Sequence, residues 1–358
     1  MNKKPRLAGR ARYIGALLPG LMLAAGTLLV PVQPASAQAA ASTVGDCAPE
    51  GGLNFICNLV NVEDFVPVEA GRWLVGGSLV EKSVGLYVID TQAKSARPVA
   101  LSLATKPDPR YAGCPAPDLK NLQTHGVDVQ QANGQITVYA INHGGRESVE
   151  IFRLHPAAAT ADWIGCALPP EGVNGNAVAA MADGSFVMTK FVDSRDKQGF
   201  QHILAGQVTG AVYQWRPGKG FREVPGTRLS GDNGLLVSAD GRWLYINAYG
   251  SHEIYRLPLS GQGRRSDVKV DFAPDNLRWA PDGSILVTGQ FISAQTLNSP
   301  HGWATVRLDP KTMATTPVVK HAGLKVFDDA TSAVQVGQTL WLATYKGDRV
   351  AYMPLPSP

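Results

Sequence analysis

The sequence predicts an all-β fold, a six-bladed β-propeller with a central channel. One observation is a repeated unit, a glycine followed by an apolar strand, which occurs six times at intervals of about 40 to 65 residues. Another is a chain rich in glycine and proline, with short β-branched and aromatic runs and no long helical periodicity. A period of this size with several strands per unit is typical of a propeller. A two-sheet sandwich of similar length would not need six copies of one unit.

Each repeated unit contains two recognisable strands and predicts one blade. The first of these strands follows Gly71, Gly134, Gly184, Gly241, Gly283 and Gly337. The second strand reads GLYVID, SVEIFRLHP, GAVYQWRPG, HEIYRLPL, WATVRLDP or RVAYMPLP. Several of the glycines come directly after an Asn or Asp, as in tight hairpin turns. The six units predict a single domain over residues 38–358.

Residues 1–37 are typical of a signal peptide. Five Lys and Arg residues precede the apolar segment IGALLPGLMLAAGTLLVPV, and Ala35-Ser36-Ala37 provides a small-residue cleavage site. The alternative is an uncleaved membrane anchor, because the apolar run is almost long enough to span a bilayer. Pro19, Pro31 and the small residues at the end favour cleavage. We therefore expect an exported protein, periplasmic or secreted.

The positive net charge belongs to the predicted signal peptide. The whole chain carries 33 basic and 29 acidic residues, for a formal charge of +4. Five basic residues and no acidic residue precede Gln38, so the mature chain would carry a charge of −1. This balance does not favour nucleic acid or anionic lipid as a partner. We expect a monomer that binds neither nucleic acid nor, after cleavage, a membrane.

The four cysteines, Cys47, Cys57, Cys114 and Cys166, are even in number. Export permits disulfides, although the sequence does not fix their pairing. We favour Cys47–Cys57 together with Cys114–Cys166. No Cys-x-x-Cys motif occurs, so a zinc or redox site is not indicated.

At five of the six positions that lie eight residues before the glycines of the repeated unit the residue is Asn, Asp or Glu, and the sixth, Gly126, follows His125. These positions are Glu63, Gly126, Asn176, Asn233, Asp275 and Asp329. The stretches between them and the glycines, such as NAVAAMAD, are predicted to be the innermost strands, so the six positions should converge at one mouth of the channel. Such residues either cap blade ends, as Asn and Asp commonly do, or surround a hard cation such as calcium. The residues alone leave both interpretations open.

Longer motifs resemble the paraoxonase/arylesterase family of six-bladed propellers, with a looser similarity to gluconolactonases and strictosidine synthase-like proteins. The motifs are VEDF at 62–65, THGVDV at 124–129, INHGGRESVEIFRL at 141–154, VNGNAVAAMADGSFVMT at 173–189, DNGLLVSADGRWLYIN at 232–247 and PDNLRWAPDGSILV at 274–287. The resemblance implies a catalytic calcium ion held by Glu63, Asn176, Asn233, Asp275 and Asn276. Four of these five positions coincide with the eight-residue register.

The same resemblance implies that His125 and His143 activate a water that attacks a lactone or ester carbonyl, which the calcium polarises. We interpret His125 as the base and His143 as its orienting partner, at the two ends of one innermost strand. The alternative for His143 is a hydrogen-bonded core histidine. His252, His301 and His321 lie in hydrophilic contexts typical of the surface.

Two departures limit what the resemblance implies. The family's second, structural calcium uses an Asp beside the Glu ligand and another beside an Asn ligand. Asp64 is present here, but Ala177 follows Asn176. The family's disulfide joining the chain ends cannot form, because no cysteine lies beyond Cys166. Lipoprotein binding through an N-terminal helix is not carried over either.

The sequence therefore predicts a calcium-dependent lactonase or arylesterase, a carboxylic ester hydrolase acting on a small molecule. No Gly-x-Ser-x-Gly motif occurs, which argues against a serine hydrolase. One alternative is a gluconolactonase-type sugar-lactone hydrolase that has the same calcium ligands but does not use the histidine pair. Another is a non-catalytic propeller that binds a ligand and uses calcium structurally. The sequence leaves the substrate open.

Overall fold

A computed structural model describes residues 47–80, 83–293 and 301–356. These residues form six sheets arranged around a common axis, which confirms the predicted six-bladed β-propeller. Neighbouring strands within each sheet are antiparallel, except that β6 (Ala100–Leu103) pairs parallel with β10 (Thr160–Ala167). The predicted signal peptide, residues 1–37, lies outside the described residues. Among the described residues, no helix is long and apolar enough to cross a membrane.

The first half of the chain forms three blades and contributes one strand to the last blade. That strand, β1, spans Asn54–Cys57. Blade 1 consists of β2 (Phe65–Val68), β3 (Trp73–Gly77), β4 (Leu86–Asp90) and β5 (Ser95–Pro98), with a 3₁₀ turn at Glu69–Gly71. Blade 2 consists of β6 (Ala100–Leu103), β7 (Thr124–Ala132), β8 (Gln135–Asn142), β9 (Ser148–His155) and β10 (Thr160–Ala167), with a 3₁₀ turn at Pro156–Ala158. Blade 3 consists of β11 (Val173–Ala180), β12 (Phe186–Asp193), β13 (Ala211–Arg216) and β14 (Gly220–Glu223), with the short helix α1 (Gly199–Leu204) after β12.

The second half forms the remaining three blades. Blade 4 consists of β15 (Asp232–Val237), β16 (Trp243–Ala248), β17 (Glu253–Pro258) and β18 (Ser266–Lys269). Blade 5 consists of β19 (Ala273–Trp279), β20 (Ile285–Gln290), β21 (Trp303–Leu308) and β22 (Thr315–His321). Blade 6 consists of β23 (Ala330–Val336), β24 (Thr339–Thr344) and β25 (Arg349–Pro354), with β1 as its outermost strand.

Strand β1 closes the propeller. It pairs antiparallel with β25, so that Phe55 lies opposite Ala351, and the two ends of the domain share one sheet. The Cys47–Cys57 disulfide connects the end of β1 to the segment before it. This closure protects the edge that the last blade would otherwise expose.

The second disulfide joins Cys114, in the connection from β6 to β7, to Cys166 in β10. Both favoured pairings are therefore confirmed. Two disulfides in a chain of this kind indicate an oxidising, exported environment.

Glycines let the innermost strands approach one another closely around the channel. A Cβ atom added to Gly126 would lie 2.4 Å from the carbonyl oxygen of Asn176, and one added to Gly234 would lie 2.4 Å from that of Asp275. No side chain fits at these two positions. The close approach brings the polar residues at the starts of neighbouring innermost strands together at one mouth of the channel.

Candidate active site

A cavity of about 330 Å³ lies at the channel mouth, where the polar positions of the repeat converge. Its polar lining residues are Glu63, His125, Asn176, Asn233, Asp275, Gln290 and Asp329. The apolar and aromatic part of its wall is formed by Leu79, Phe191, Phe200, Tyr249, Ile292 and Tyr345. Four of the five predicted calcium ligands therefore share one cavity with the predicted base. The fifth, Asn276, adjoins Asp275 and donates a hydrogen bond from Nδ2 to Glu63 Oε1 at 2.7 Å.

The inner strands are irregular where they carry these residues. The pairing of β11 with β12 shifts between Gly175 and Val178, around Asn176. Similar shifts occur in blade 4 between Asp232 and Leu235, and in blade 5 between Pro274 and Leu277. Irregular pairing re-aims side chains at a strand end. Here it occurs at Asn233 and at the Asp275–Asn276 pair, so that the ligand candidates of three blades lie outside the regular ladder.

Three oxygens of this group lack a partner. Glu63 Oε2, Asn176 Oδ1 and Asn233 Oδ1 are buried and accept no hydrogen bond from the described part of the chain. Leaving a buried oxygen unsatisfied costs about 1–3 kcal/mol, and more for a charged one. Three such atoms in one cavity point to a bound group that supplies the missing contacts.

The donor set fits a hard cation. Carboxylate and amide oxygens are what calcium prefers, whereas zinc favours cysteine and histidine. Among the described residues, no three or more His, Cys, Asp or Glu side chains are grouped to hold a metal. The ring instead combines two carboxylates, Glu63 and Asp275, with the amides of Asn176, Asn233 and Asn276.

Burial without a cation raises the pKa values of the two ring carboxyls. For Glu63 the pKa lies well above its ordinary value, first because of burial and then because of the charges of Asp275 and Asp64. For Asp275, burial raises the pKa to about 7. A bound cation would reverse this effect, because it stabilises the ionised carboxylates.

In the metal-free protein, the contribution of Asp275 to stability is therefore expected to fall as pH rises from about 4 to about 7. In that window the folded state keeps the proton on Asp275, whereas the unfolded state, with its ordinary pKa near 3.8, has lost it. Melting temperatures are measured in chelator across this range for the wild type and for Asp275→Asn. The advantage of the wild type over the variant should shrink as pH rises, and an equal pH dependence in the two proteins would contradict this prediction.

The two histidines form a hydrogen-bonded chain that ends at the ring. His125 Nδ1 lies 3.0 Å from His143 Nε2, and His143 Nδ1 lies 2.8 Å from Glu147 Oε1. An ionised carboxylate can only accept a hydrogen bond, so His143 carries its proton on Nδ1. Its Nε2 therefore accepts a hydrogen bond from the protonated Nδ1 of His125. The lone pair of His125 then resides on Nε2.

That nitrogen faces the ring. His125 Nε2 lies 3.5 Å from Asn176 Nδ2 and 3.7 Å from Glu63 Oε2. Burial, and then the charge of His143, lowers the pKa of His125 well below its ordinary value. The side chain is thus a neutral base next to the unpaired ring oxygens.

The sequence-based placement of the pair needs one correction. His125 is the second residue of β7, but His143 follows the end of β8, so they do not lie at two ends of one strand. A hairpin turn at Asn133 and Gly134, both with positive φ, folds β8 back along β7. The histidines consequently meet side by side.

Glu147 was not identified from the sequence, although it follows His143 by four residues in the loop NHGGRE. Gln290 was also missed. Its Nε2 donates to Asp275 Oδ2 at 2.8 Å, and its Oε1 accepts from the Tyr249 hydroxyl at 2.9 Å. Gln290 therefore fixes the orientation of the Asp275 carboxylate. Its position at the end of a second strand carries no distinctive sequence signal.

Asp329 occupies the sixth position of the repeat but is already paired. Its Oδ1 lies 2.8 Å from His301 Nδ1, and its Oδ2 lies 2.6 Å from Lys346 Nζ. This pairing gives a reason why the ligand pattern omits Asp329. His301 is only 3% exposed, so the expectation that it lies on the surface is wrong. The contact with the Asp329 carboxylate offsets the cost of burying this polar side chain.

Comparison with known proteins identifies a matching family profile and solved structures with a similar fold. The sequence profile of the SMP-30/Gluconolactonase/LRE-like region matches residues 132–321, slightly more than half of the chain. No curated protein matches the sequence. A gluconolactonase from Xanthomonas campestris, XC5397, superposes with a TM-score of 0.54 at 19% identity, covering 85% of this chain and 89% of its own.

Two further solved structures share the fold. A luciferin-regenerating enzyme has a TM-score of 0.52 at 13% identity, with 84% of this chain and 94% of its own covered. Regucalcin from Agrobacterium tumefaciens, described as a calcium-binding protein, has a TM-score of 0.50 at 11% identity, with 83% and 91% covered. At these identities the likeness shows the propeller fold alone.

Proposed function

We propose that this chain, which belongs to the SMP-30/gluconolactonase/LRE-like family, is a calcium-dependent hydrolase that opens lactones and cleaves aryl esters. One observation carries the proposal. The lone pair of His125 Nε2 faces a cavity in which Glu63, Asn176 and Asn233 each present an unpaired buried oxygen. A base next to an oxygen-ligand ring is the arrangement required for attack of water on a polarised carbonyl.

Glu63, Asn176, Asn233, Asp275 and Asn276 would hold the calcium ion. When bound, it would supply a Lewis acid for the carbonyl oxygen. Gln290 and Asn276 orient the two carboxylates of the ring through their amide groups.

In the proposed reaction, His125 Nε2 accepts a proton from water while the water oxygen bonds to the carbonyl carbon. His143 accepts the hydrogen bond from His125 Nδ1 and holds the imidazole of His125 in place. Glu147 accepts from His143 Nδ1 and stabilises the positive charge that develops on the pair. The bond between the carbonyl carbon and the leaving oxygen then breaks, and His125 returns the proton to that oxygen.

The cavity wall favours apolar substrates. Phe191, Phe200 and Tyr249 form an aromatic group, with the Phe191 and Tyr249 rings edge to face at 5.9 Å. The Tyr249 hydroxyl is already bonded to Gln290. A polyhydroxylated sugar would need many polar partners, which this side does not offer. Lactones with alkyl substituents and aryl esters fit better.

Sugar-lactone hydrolysis remains the second candidate, because the matched family and the Xanthomonas neighbour both carry the gluconolactonase name. That reaction would use the same ring. The two candidates differ in the contact that their substrates make with the aromatic wall.

A substrate panel separates them. With calcium present, alkyl-substituted lactones and phenyl acetate should show higher kcat/KM than gluconolactone. Phe200→Ala should lower kcat/KM for the alkyl lactone by about tenfold, because apolar contact is lost. The unsubstituted lactone serves as control and should be affected little. A preference for gluconolactone would support the second candidate, and no turnover of any substrate would favour a binding protein with structural calcium.

A further inference from the structure

A buried arginine lies directly beside the ring. Arg278 belongs to β19, two residues after Asn276, and is only 4% exposed. Its side chain reaches from blade 5 to blades 1 and 2. Nε donates to the Phe65 carbonyl at 2.8 Å, and Nη2 donates to the Val127 carbonyl at 2.9 Å and to Asp64 Oδ2. One guanidinium thus connects the innermost strands of three blades.

Asp64 is fully satisfied by this arrangement. Its Oδ1 accepts from the Phe65 amide at 2.9 Å, and its Oδ2 accepts from Arg278 and from the Val127 amide at 3.3 Å. The neighbouring Glu63 is equally buried but keeps an unpaired Oε2. The two adjacent carboxylates therefore differ in their charge partners. Within the described ranges Glu63 forms no ion pair with a lysine or arginine, whereas Asp64 is paired with the guanidinium of Arg278.

The second, structural calcium implied by the paraoxonase resemblance does not fit these residues. It would need Asp64 and a carboxylate at position 177, but Ala177 has no oxygen ligand in its side chain. Ala177 adjoins the backbone before Val127, since a Cβ on Gly126 would lie 2.7 Å from its Cα. The Asp64 carboxylate and the Val127 carbonyl are both bonded to Arg278.

We infer that Arg278 replaces a second metal ion as the fixed cation of the channel, so that no metal binds at Asp64. Position 177 carries no carboxylate, and the guanidinium of Arg278 supplies the positive charge beside Asp64. A single positive charge then balances Asp64 and ties blades 1, 2 and 5. The inference goes beyond the proposed function, and it holds whether or not the ring is catalytic.

Metal stoichiometry tests it in the unmodified protein. Chelator-treated protein is dialysed against excess calcium, and bound calcium is measured by mass spectrometry. One calcium ion per chain, or none, supports the assignment, and two would overturn it. A result of none would also contradict the proposed function, so the two failures are distinguishable.

Substitutions provide the second test. Arg278→Ala leaves the buried Asp64 without a counter-charge, and should lower the melting temperature by about 5–10 °C. Adding Asp64→Asn should recover part of the loss. The control is Arg307→Ala, which removes an outer ion pair with Asp282 in the same blade and should change the melting temperature little. An Arg278→Ala protein as stable as the wild type would contradict the assignment.

The double variant Ala177→Asp/Arg278→Ala adds a second carboxylate to Asp64 and removes the guanidinium. It is expected to bind one more calcium ion than the wild type, and to be stabilised by calcium beyond saturation of the ring. A double variant with unchanged stoichiometry would contradict the replacement. If the variants do not fold, the stoichiometry of the wild type decides.

Discussion

His125→Gln is expected to lower kcat/KM for lactones by about 10²- to 10⁴-fold, the range that a positioned general base contributes. Glutamine has a similar reach but cannot accept a proton from water. Calcium affinity and melting temperature should stay close to those of the wild type, because His125 is not among the proposed ligands. Steady-state kinetics at saturating calcium, calorimetric calcium titration and thermal unfolding measure the three quantities.

The partners of His125 should behave differently from His125 itself. His143→Gln and Glu147→Gln leave Nε2 in place but remove the contacts that fix its tautomer and orientation. We expect kcat to fall by about 10- to 100-fold with little change in KM. The matched control is His202→Gln, whose Asp196 pair lies outside the cavity lining. Full activity in His125→Gln would refute the base assignment, and would favour the mechanism that uses the ring alone.

The blades could be predicted from the sequence because each hairpin repeats the same local chemistry. A glycine at a tight turn and the strand after it depend only on neighbouring residues. The ring followed from the same register, since Asn176 and Asn233 stand at equal distances before their glycines. In a fold built from repeated units, equivalent positions of the units lie around the same axis, so a local pattern predicts which distant residues come together.

Contacts between different blades could not be predicted, because no local sequence pattern marks them. Arg278 lies 214 residues from Asp64, and nothing in RWAPDG marks it as the partner of a buried carboxylate. The pairing of β1 with β25 joins the two ends of the domain and likewise has no local marker. The contact of His125 with His143 depends on a hairpin returning the chain, which separation in sequence alone does not reveal.

The largest effect on the ring is expected from Glu63→Gln, and its sign should depend on calcium. In chelator, the variant should be more stable than the wild type, because it removes a buried carboxyl whose pKa is raised by burial. With calcium the order should reverse. Calcium at about 100 times its Kd adds about 2.7 kcal/mol to the wild type, and a weakened ring forfeits most of this.

Melting temperatures of both proteins, each measured with chelator and with calcium, give the four values needed. Asp329→Asn is the control within the same cavity. Loss of the Asp329 charge should weaken the contacts to His301 and Lys346. The melting temperature should therefore fall both in chelator and with calcium, while the calcium affinity is retained. Equal calcium affinity in Glu63→Gln and the wild type would contradict the ring. A crossover confined to Glu63→Gln would show that this carboxylate is kept for binding a cation at a cost to the stability of the metal-free fold.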